Sequence, residues 1–161
     1  MTKLIDKIVS GGQTGVDRAA LDVAIHLEIP HGGWCPLNRL AEDGTIPRQY
    51  QLVETSSSDY AVRTEKNVID SDGTLVLHAG QISGGTSLTC ELARRHRRPL
   101  LKINLSDPPR LLEIHDWLAA HGIRQLNIAG PRESTHPGIG RQAEQFLLCL
   151  FLPKSDPIIG G

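Results

Sequence analysis

The fold is decided by residues 5–27, which read IDKIVSGGQTGVDRAALDVAIHL. The run Ile5–Ser10 has the aliphatic composition of a buried strand. The segment Val16–Leu27 repeats its apolar residues at the 3.6-residue spacing of an amphipathic helix. Between them, Gly11–Gly15 supplies glycines that permit a tight turn. This stretch therefore predicts the strand–turn–helix unit of an α/β protein.

The same alternation continues along the chain. Further strands are predicted at Tyr50–Glu54, Thr74–His78, Leu100–Leu105 and Gln125–Ala129. Further helices are predicted at Asp59–Asp70, Ser87–Arg97, Pro108–His121 and Ile139–Phe151, with Pro108 or Pro109 in a first turn and Gly122 as a C-cap. This order predicts a three-layer α/β fold, in which a mostly parallel sheet of five strands, or slightly more, carries helices on both faces.

Two segments fall outside that alternation. Ile29–Gln49 is rich in Gly, Pro, Asn and Asp, and a connection of that length without regular structure usually serves function. Residues 1–152 are expected to form one ligand-binding domain. The tail Pro153–Gly161 is expected to be frayed, because it combines prolines with closing glycines.

Composition excludes several classes of protein. A net charge of -1 gives no general attraction to nucleic acid or to anionic membranes. The basic cluster Arg94–Arg98 lacks interleaved aromatic residues and is expected to be a solvated helix end. The three cysteines and seven histidines show no metal-ligand spacing, and no run approaches the length of a membrane span. We therefore expect a soluble cytoplasmic protein without a membrane or nucleic-acid partner.

Two glycine-rich loops are predicted to bind an anion. Gly11-Gly12-Gln13-Thr14-Gly15 and Ser83-Gly84-Gly85-Thr86-Ser87 each follow a predicted strand and open a predicted helix, where free amides and the helix dipole favour a phosphate. Both loops would border one crevice if the first and third predicted strands are neighbours. The alternative for the first loop is a tight turn without a ligand, and Thr86 or Ser87 could cap the helix instead of binding phosphate. The spacing matches neither the dinucleotide fingerprint nor the P-loop.

Individual charged residues add candidates with open alternatives. Arg132, in the loop Gly130–Ser134, could clamp a phosphate or be a solvated surface arginine. Arg39, Glu42 and Asp43 lie in the long connection and are candidate ligand or partner contacts. Arg63 shares a helix face with Asn67 and could point into the crevice or be exposed to solvent. Asp17 could bind a phosphate-bridging metal, although complementing the helix dipole is favoured.

Several of these motifs carry a family resemblance. They are Ile8–Asp17, Cys35-Pro36 with Arg39, Ala41–Gly44, Arg63–Glu65 with Asn67-Val68, Asp72–Leu75, Gly84–Thr86 and Gly130–Ser134. In this order they resemble the putative molybdenum carrier family, a circularly permuted YpsA-like branch of the SLOG superfamily. The resemblance runs from Ile8 to Leu150 and departs from the family at Leu37-Asn38, where members usually have Lys-Gly.

The resemblance implies a Rossmann-like fold, self-association as a dimer or tetramer, and a site for a nucleotide-derived ligand, with molybdenum cofactor as the suggested one. The superfamily also contains phosphoribohydrolases with the loop P-G-G-x-G-T-x-x-E. Glu91 stands at the position of the glutamate in that loop, while Ser87-Leu88 replace its Gly-Thr.

Three functions are consistent with the sequence. A binding or carrier protein for a small phosphorylated ligand is favoured over an enzyme, because the glycine loops come without an evident nucleophile or metal cluster. The alternatives are a phosphoribohydrolase-like enzyme that acts on nucleoside monophosphates through Glu91, and a nucleotide-sensing domain that signals through the Ile29–Gln49 connection.

Overall fold

The computed structural model of the chain describes residues 3–152. Its strands are β1 (Lys7–Val9), β2 (His31–Gly32), β3 (Trp34–Cys35), β4 (Leu40–Ala41), β5 (Gly44–Thr45), β6 (Val53–Glu54), β7 (Gly73–His78), β8 (Leu100–Asn104) and β9 (Gln125–Ala129). Its helices are α1 (Val16–His26), α2 (Tyr60–Ile69), α3 (Gly84–Arg95), α4 (Leu111–Ala120) and α5 (Ile139–Phe151), with a short 3-10 helix at Leu37–Arg39. The predicted tail Pro153–Gly161 lies outside the described residues.

The central sheet has five parallel strands in the order β2-β1-β9-β7-β8. The last strand along the chain, β9, therefore occupies the middle of the sheet. The first and third predicted strands are not neighbours, because β9 pairs with β1 on one side and β7 on the other. Both strands still end beside β9, so the two glycine loops remain near one crevice.

Helices cover both faces of this sheet, as predicted. The larger core joins α1, α4 and α5 to one face, and includes Ile8, Leu75, Leu77, Leu126 and Ile128 from the strands. On the other face, Val68 of α2 packs against Leu92 and Ala93 of α3. The fold class is thus the predicted three-layer α/β arrangement. None of the helices within residues 3–152 is long and apolar enough to cross a membrane.

The connection Ile29–Gln49 is more ordered than expected. It begins with the edge strand β2 and continues through β3, the 3-10 helix and the β4–β5 hairpin. The predicted strand Tyr50–Glu54 is reduced to β6, which pairs with β3 and not with the central sheet. The fifth strand of the sheet is instead β2, whose two residues have no aliphatic run that a pattern search could find.

Two helix starts also differ from the prediction. Helix α3 begins at Gly84 and not at Ser87, because the glycines form its first turn. Helix α4 begins at Leu111 after the N-cap Arg110, so neither Pro108 nor Pro109 lies in its first turn. Gly122, with φ 61°, follows the C-cap His121 in the left-handed conformation that suits glycine.

Candidate functional site

A cavity of 620 Å³ opens at the carboxyl ends of the central strands. Its floor comes from β9 and the residues that follow it, and its walls come from the first glycine loop, α2, the start of α3 and the segment 130–136. Of the predicted site residues, the cavity brings together Gly11, Gln13, Arg63, Gly84, Gly85, Thr86 and Arg132. Ligands of open parallel sheets bind at this edge, so the cavity is the candidate site.

The start of α3 presents free donors to the cavity. Within residues 3–152, the amides of Gly84, Gly85 and Thr86 have no hydrogen-bond acceptor, and the N-cap Ser83 makes no side-chain cap. Space is open around the Cα atoms of both glycines, and Gly84 has φ 54°. Ser87 does not line the cavity, and its amide donates to the Ser83 carbonyl at 3.2 Å. This helix end can therefore accept an anion on its first three amides.

Two arginines face the same space around Tyr60. The Arg63 guanidinium carbon lies 5.2 Å from the Tyr60 ring centroid, and that of Arg132 lies 5.4 Å from it. Arg63 is buried and donates to the Gly11 carbonyl at 2.6 Å. Arg132 stays partly exposed, with its Nη1 3.8 Å from a Glu42 carboxylate oxygen. Two positive charges beside a helix N-terminus are an arrangement that suits an anionic ligand.

The first glycine loop uses most of its amides internally. Gly12 donates to Ser10 Oγ, Gln13 to Asp17 Oδ2, and Thr14 to Gln13 Oε1, at 3.0–3.3 Å. Gly12 packs under Ile46 and Leu52, where a Cβ atom would collide. The structure therefore gives Gly12 a packing role and leaves Gly11 and Gln13 at the cavity. The Thr14 hydroxyl donates to the Glu42 carboxylate and accepts from the Glu133 amide.

Gly15 also has a packing role. A Cβ atom at Gly15 would lie 2.8 Å from the Glu133 amide nitrogen and closer still to the Pro131 carbonyl oxygen. Its φ of 80° adds a second requirement for glycine. Of the predicted anion loops, the second presents three free amides to the cavity, whereas the first has only the Gly11 amide without an acceptor among the described residues that line it.

Arg39, predicted as a ligand or partner contact, does not line the cavity. Its guanidinium donates to the carbonyl oxygens of Ile46, Pro47, Tyr50 and Leu52 at 2.7–3.2 Å. It therefore holds the long connection closed. The preceding Asn38 has φ 67°, a left-handed conformation that Asn adopts more readily than most residues other than glycine.

Asp17 is the acidic group of the cavity wall. Its side chain is buried, and Oδ2 accepts a 3.3 Å hydrogen bond from the Gln13 amide. Burial raises the pKa of this carboxyl to about 6, against the opposing effect of Arg63, the Gln13 amide, Arg18 and Arg132. The sequence favoured Asp17 as a partner of the helix dipole in the first turn of α1. The structure also places this residue in the lining of the cavity.

Glu42, a candidate ligand or partner contact in the long connection, joins the loops around the cavity. Its carboxylate accepts from Thr14 Oγ1 and from the amide and hydroxyl of Ser134, and its amide donates to Gln13 Oε1 at 2.9 Å. The Ser134 and Thr14 hydrogen bonds lower the pKa of Glu42. The residue ties the long connection to the loops on both sides of the cavity. Its signals in the sequence were its place in the long connection Ile29–Gln49 and in the Ala41–Gly44 motif.

Glu91 is placed where it cannot serve the cavity. Its side chain is 63% exposed and pairs with Arg95 at 3.0 Å on the outer surface of α3. It does not line the cavity, so the expectation of a catalytic role for Glu91 has no support in the geometry. Among residues 3–152, no cluster of His, Cys, Asp or Glu is arranged to hold a metal ion.

A model described as the circularly permutated YpsA SLOG family matches residues 8–151. The crystal structure of a putative molybdenum carrier protein from Syntrophus aciditrophicus SB is 48% identical in sequence, with a TM-score of 0.90. The alignment covers 95% of this chain and 98% of that one. A search among curated proteins found no significant match.

Proposed function

Because the chain belongs to the circularly permutated YpsA SLOG family, we propose that it binds or carries a phosphorylated, nucleotide-like ligand in the cavity beside α3. The free amides of Gly84, Gly85 and Thr86 carry this proposal, since they form an anion site that the chain itself leaves without acceptors. Arg63 and Arg132 support it by adding positive charge to the same cavity.

Molybdenum cofactor is the more specific candidate. The similar protein of known structure is named a molybdenum carrier, and the cofactor is a pterin that bears a phosphate. A 620 Å³ cavity falls within the usual range of roughly 300–1,000 Å³ for small-molecule sites. The amides of α3 would hold the phosphate, Arg132 would add charge at the more exposed side, and the pterin would supply the redox-active chelate that binds molybdenum.

The anion site can be tested by placing a negative charge at the start of α3. Gly85→Asp puts a carboxylate at the second residue of the helix, where it repels phosphate but suits the dipole. We expect calorimetry to show at least about a tenfold weaker affinity for molybdenum cofactor, AMP or GMP, about 1.4 kcal/mol. We expect Gly85→Asp to weaken the binding of inorganic phosphate as well.

Leu112→Asp is the matched control. Leu112 is also the second residue of its helix, α4, is 60% exposed and lies outside the cavity. The control should bind every ligand as the wild type does. Equal affinity in a folded Gly85→Asp variant would place the phosphate elsewhere, and absence of binding by the wild type would refute the proposed function.

Binding without turnover is part of the proposal. The surface position of Glu91 supports it, because the glutamate that the hydrolase alternative needs is paired with Arg95 outside the cavity. We expect no free base to be released from AMP or GMP by wild type or Glu91→Gln. Release that depends on Glu91 would favour the hydrolase.

We also propose that the protein self-associates and acts in the cytoplasm. Self-association follows the family resemblance, and a reducing compartment suits the free cysteines Cys35, Cys90 and Cys149. Native mass spectrometry of protein purified gently from its host would report the bound ligand and the assembly together.

A further inference from the structure

The polar groups that line the cavity form two sets, one of hydrogen-bond donors and one of acceptors. The start of α3 and the arginines offer donors and positive charge, which suit a phosphate. Asp17 and Asn127 are buried polar residues of the cavity that can offer acceptors. A ligand that fills the cavity must therefore carry hydrogen-bond donors as well as an anion.

The Asp17 carboxylate is available to such donors. Its only hydrogen bond within residues 3–152 is the long one from the Gln13 amide to Oδ2, and no Lys, Arg or His nitrogen in that range lies within 4 Å of it. The side chain is only 7% exposed, and that exposure is to the cavity. A buried carboxylate without an ion-pair partner is costly, and a ligand that donates to it removes part of that cost.

Asn127 gives a second acceptor at the floor. It lies on the central strand β9, and its amide nitrogen donates to Thr74 Oγ1 at 3.2 Å. Its carbonyl oxygen has no donor in the described part of the chain. Asn67 offers no such free acceptor, because its Oδ1 accepts from the Trp34 amide and its Nδ2 donates to the Trp34 carbonyl.

We propose that Asp17 selects the heterocycle of the ligand by accepting two hydrogen bonds from a 2-amino-4-oxopyrimidine edge. This edge, which guanine and pterins share, presents a ring N–H and an exocyclic amino group side by side and so matches the two oxygens of a carboxylate. Adenine presents a ring acceptor beside its amino group and hypoxanthine lacks the amino group, so each makes one such bond at most. The inference rests on the proposed function, because the phosphate at α3 anchors the ligand.

The expected difference in affinity between these ligands follows from the burial of the Asp17 carboxylate. A ligand that leaves the buried carboxylate half paired loses a charge-assisted hydrogen bond and keeps the cost of desolvation. Sites built in this way discriminate far more strongly than apolar pockets do. We expect at least about a tenfold preference for GMP over IMP and over AMP, or about 1.4 kcal/mol.

Calorimetry with GMP, IMP, AMP, XMP, a pterin monophosphate and inorganic phosphate tests the inference. Wild type should bind GMP and the pterin monophosphate at least about tenfold more tightly than IMP or AMP. Asp17→Asn should lose this preference and should gain affinity for XMP, because its amide can donate to the 2-oxo group of xanthine. Inorganic phosphate should bind Asp17→Asn at least as tightly as wild type, because the variant removes a negative charge from the cavity. Asp116→Asn, an exposed change on α4, is the control.

The outcomes separate the two proposals. If GMP, IMP and AMP bind equally and Asp17→Asn changes nothing, the selection by Asp17 is refuted and the phosphate site stands. If wild type prefers GMP but Asp17→Asn keeps that preference over IMP, Asp17 does not contact the heterocycle and the inference is wrong. If neither inorganic phosphate nor any of the phosphorylated ligands binds, the proposed function itself fails.

Discussion

The buried carboxylate of Asp17 destabilises the protein when no ligand is bound. Its pKa in the folded chain is about 6, above the ordinary value of 3.8, so the folded state binds a proton more readily than the unfolded state does between these values. The contribution of Asp17 to the free energy of unfolding therefore falls as pH rises from about 4 to 6 and stays low above that range. The permanent charges of Arg63, Arg18 and Arg132 reduce the effect without removing it.

Asp17→Asn should therefore stabilise the ligand-free protein at neutral pH. We expect the free energy of unfolding in urea to rise by about 1–3 kcal/mol at pH 7.5, and by much less at pH 4, where the wild-type carboxyl is protonated. Asp116→Asn should leave stability within about 0.5 kcal/mol of wild type. An equal effect of Asp17→Asn at both pH values would show that the charge of Asp17 is not responsible.

Arg39 provides a residue-scale prediction about the long connection. Arg39→Met removes the donors to four backbone carbonyls and should cost about 2–4 kcal/mol of unfolding free energy. Arg48→Ala, an exposed change in the same connection, should cost about 0.5 kcal/mol or less. If the two variants lose similar stability, the carbonyl contacts of Arg39 are not the source of the order.

Sequence reasoning at this scale identified residue types better than partners. Arg63 and Arg132 were predicted as ligand contacts and do line the cavity, because both lie in or near loops at the carboxyl edge of the sheet. Arg39 was predicted on the same grounds and turns inward to carbonyl groups. Only the path of the chain decides whether an arginine in a loop meets a ligand or a backbone, and a pattern of residue types does not contain that path.

At the scale of elements, the two glycine-rich loops have different structural roles. The glycines of the first loop are required by close packing, whereas Gly84 and Gly85 stand in open space at the start of α3. Sequence alone treated them alike, because glycine permits both a tight approach and an exposed amide. The glycines also hid the true start of α3, since their low helix propensity indicated a loop where the helix already runs.

Gly15→Ala tests the packing role, with Gly80→Ala as the matched variant. Both glycines have positive φ, 80° and 71°, so the backbone strain of alanine is shared. Only at Gly15 would the new methyl group collide with the segment Pro131–Glu133. We expect Gly15→Ala to lose at least about 2 kcal/mol more unfolding free energy than Gly80→Ala. Similar losses would show that the contact relaxes without cost.

At the scale of the whole molecule, the layers could be predicted and the strand order could not. Aliphatic runs and helical spacing identified four strands of the central sheet and all five helices of the described chain. The position of β9 between β1 and β7 depends on contacts between residues more than fifty positions apart, for which local patterns hold no signal. The cavity could not be predicted for the same reason, because its floor is β9 and its walls include loops on either side of this strand.

The domain boundary gives the last prediction. The larger core closes with Leu150 and Phe151 of α5, and the His115 ring lies 3.1 Å from the Leu150 carbonyl oxygen. Deletion of residues 153–161 should therefore leave the urea midpoint and phosphate binding unchanged. Deletion of residues 148–161 also removes two buried side chains at about 2–5 kcal/mol each, a loss comparable with the whole stability of a typical domain. Circular dichroism should show the first variant folded and the second largely unfolded, and a marked loss in the first would extend the domain beyond residue 152.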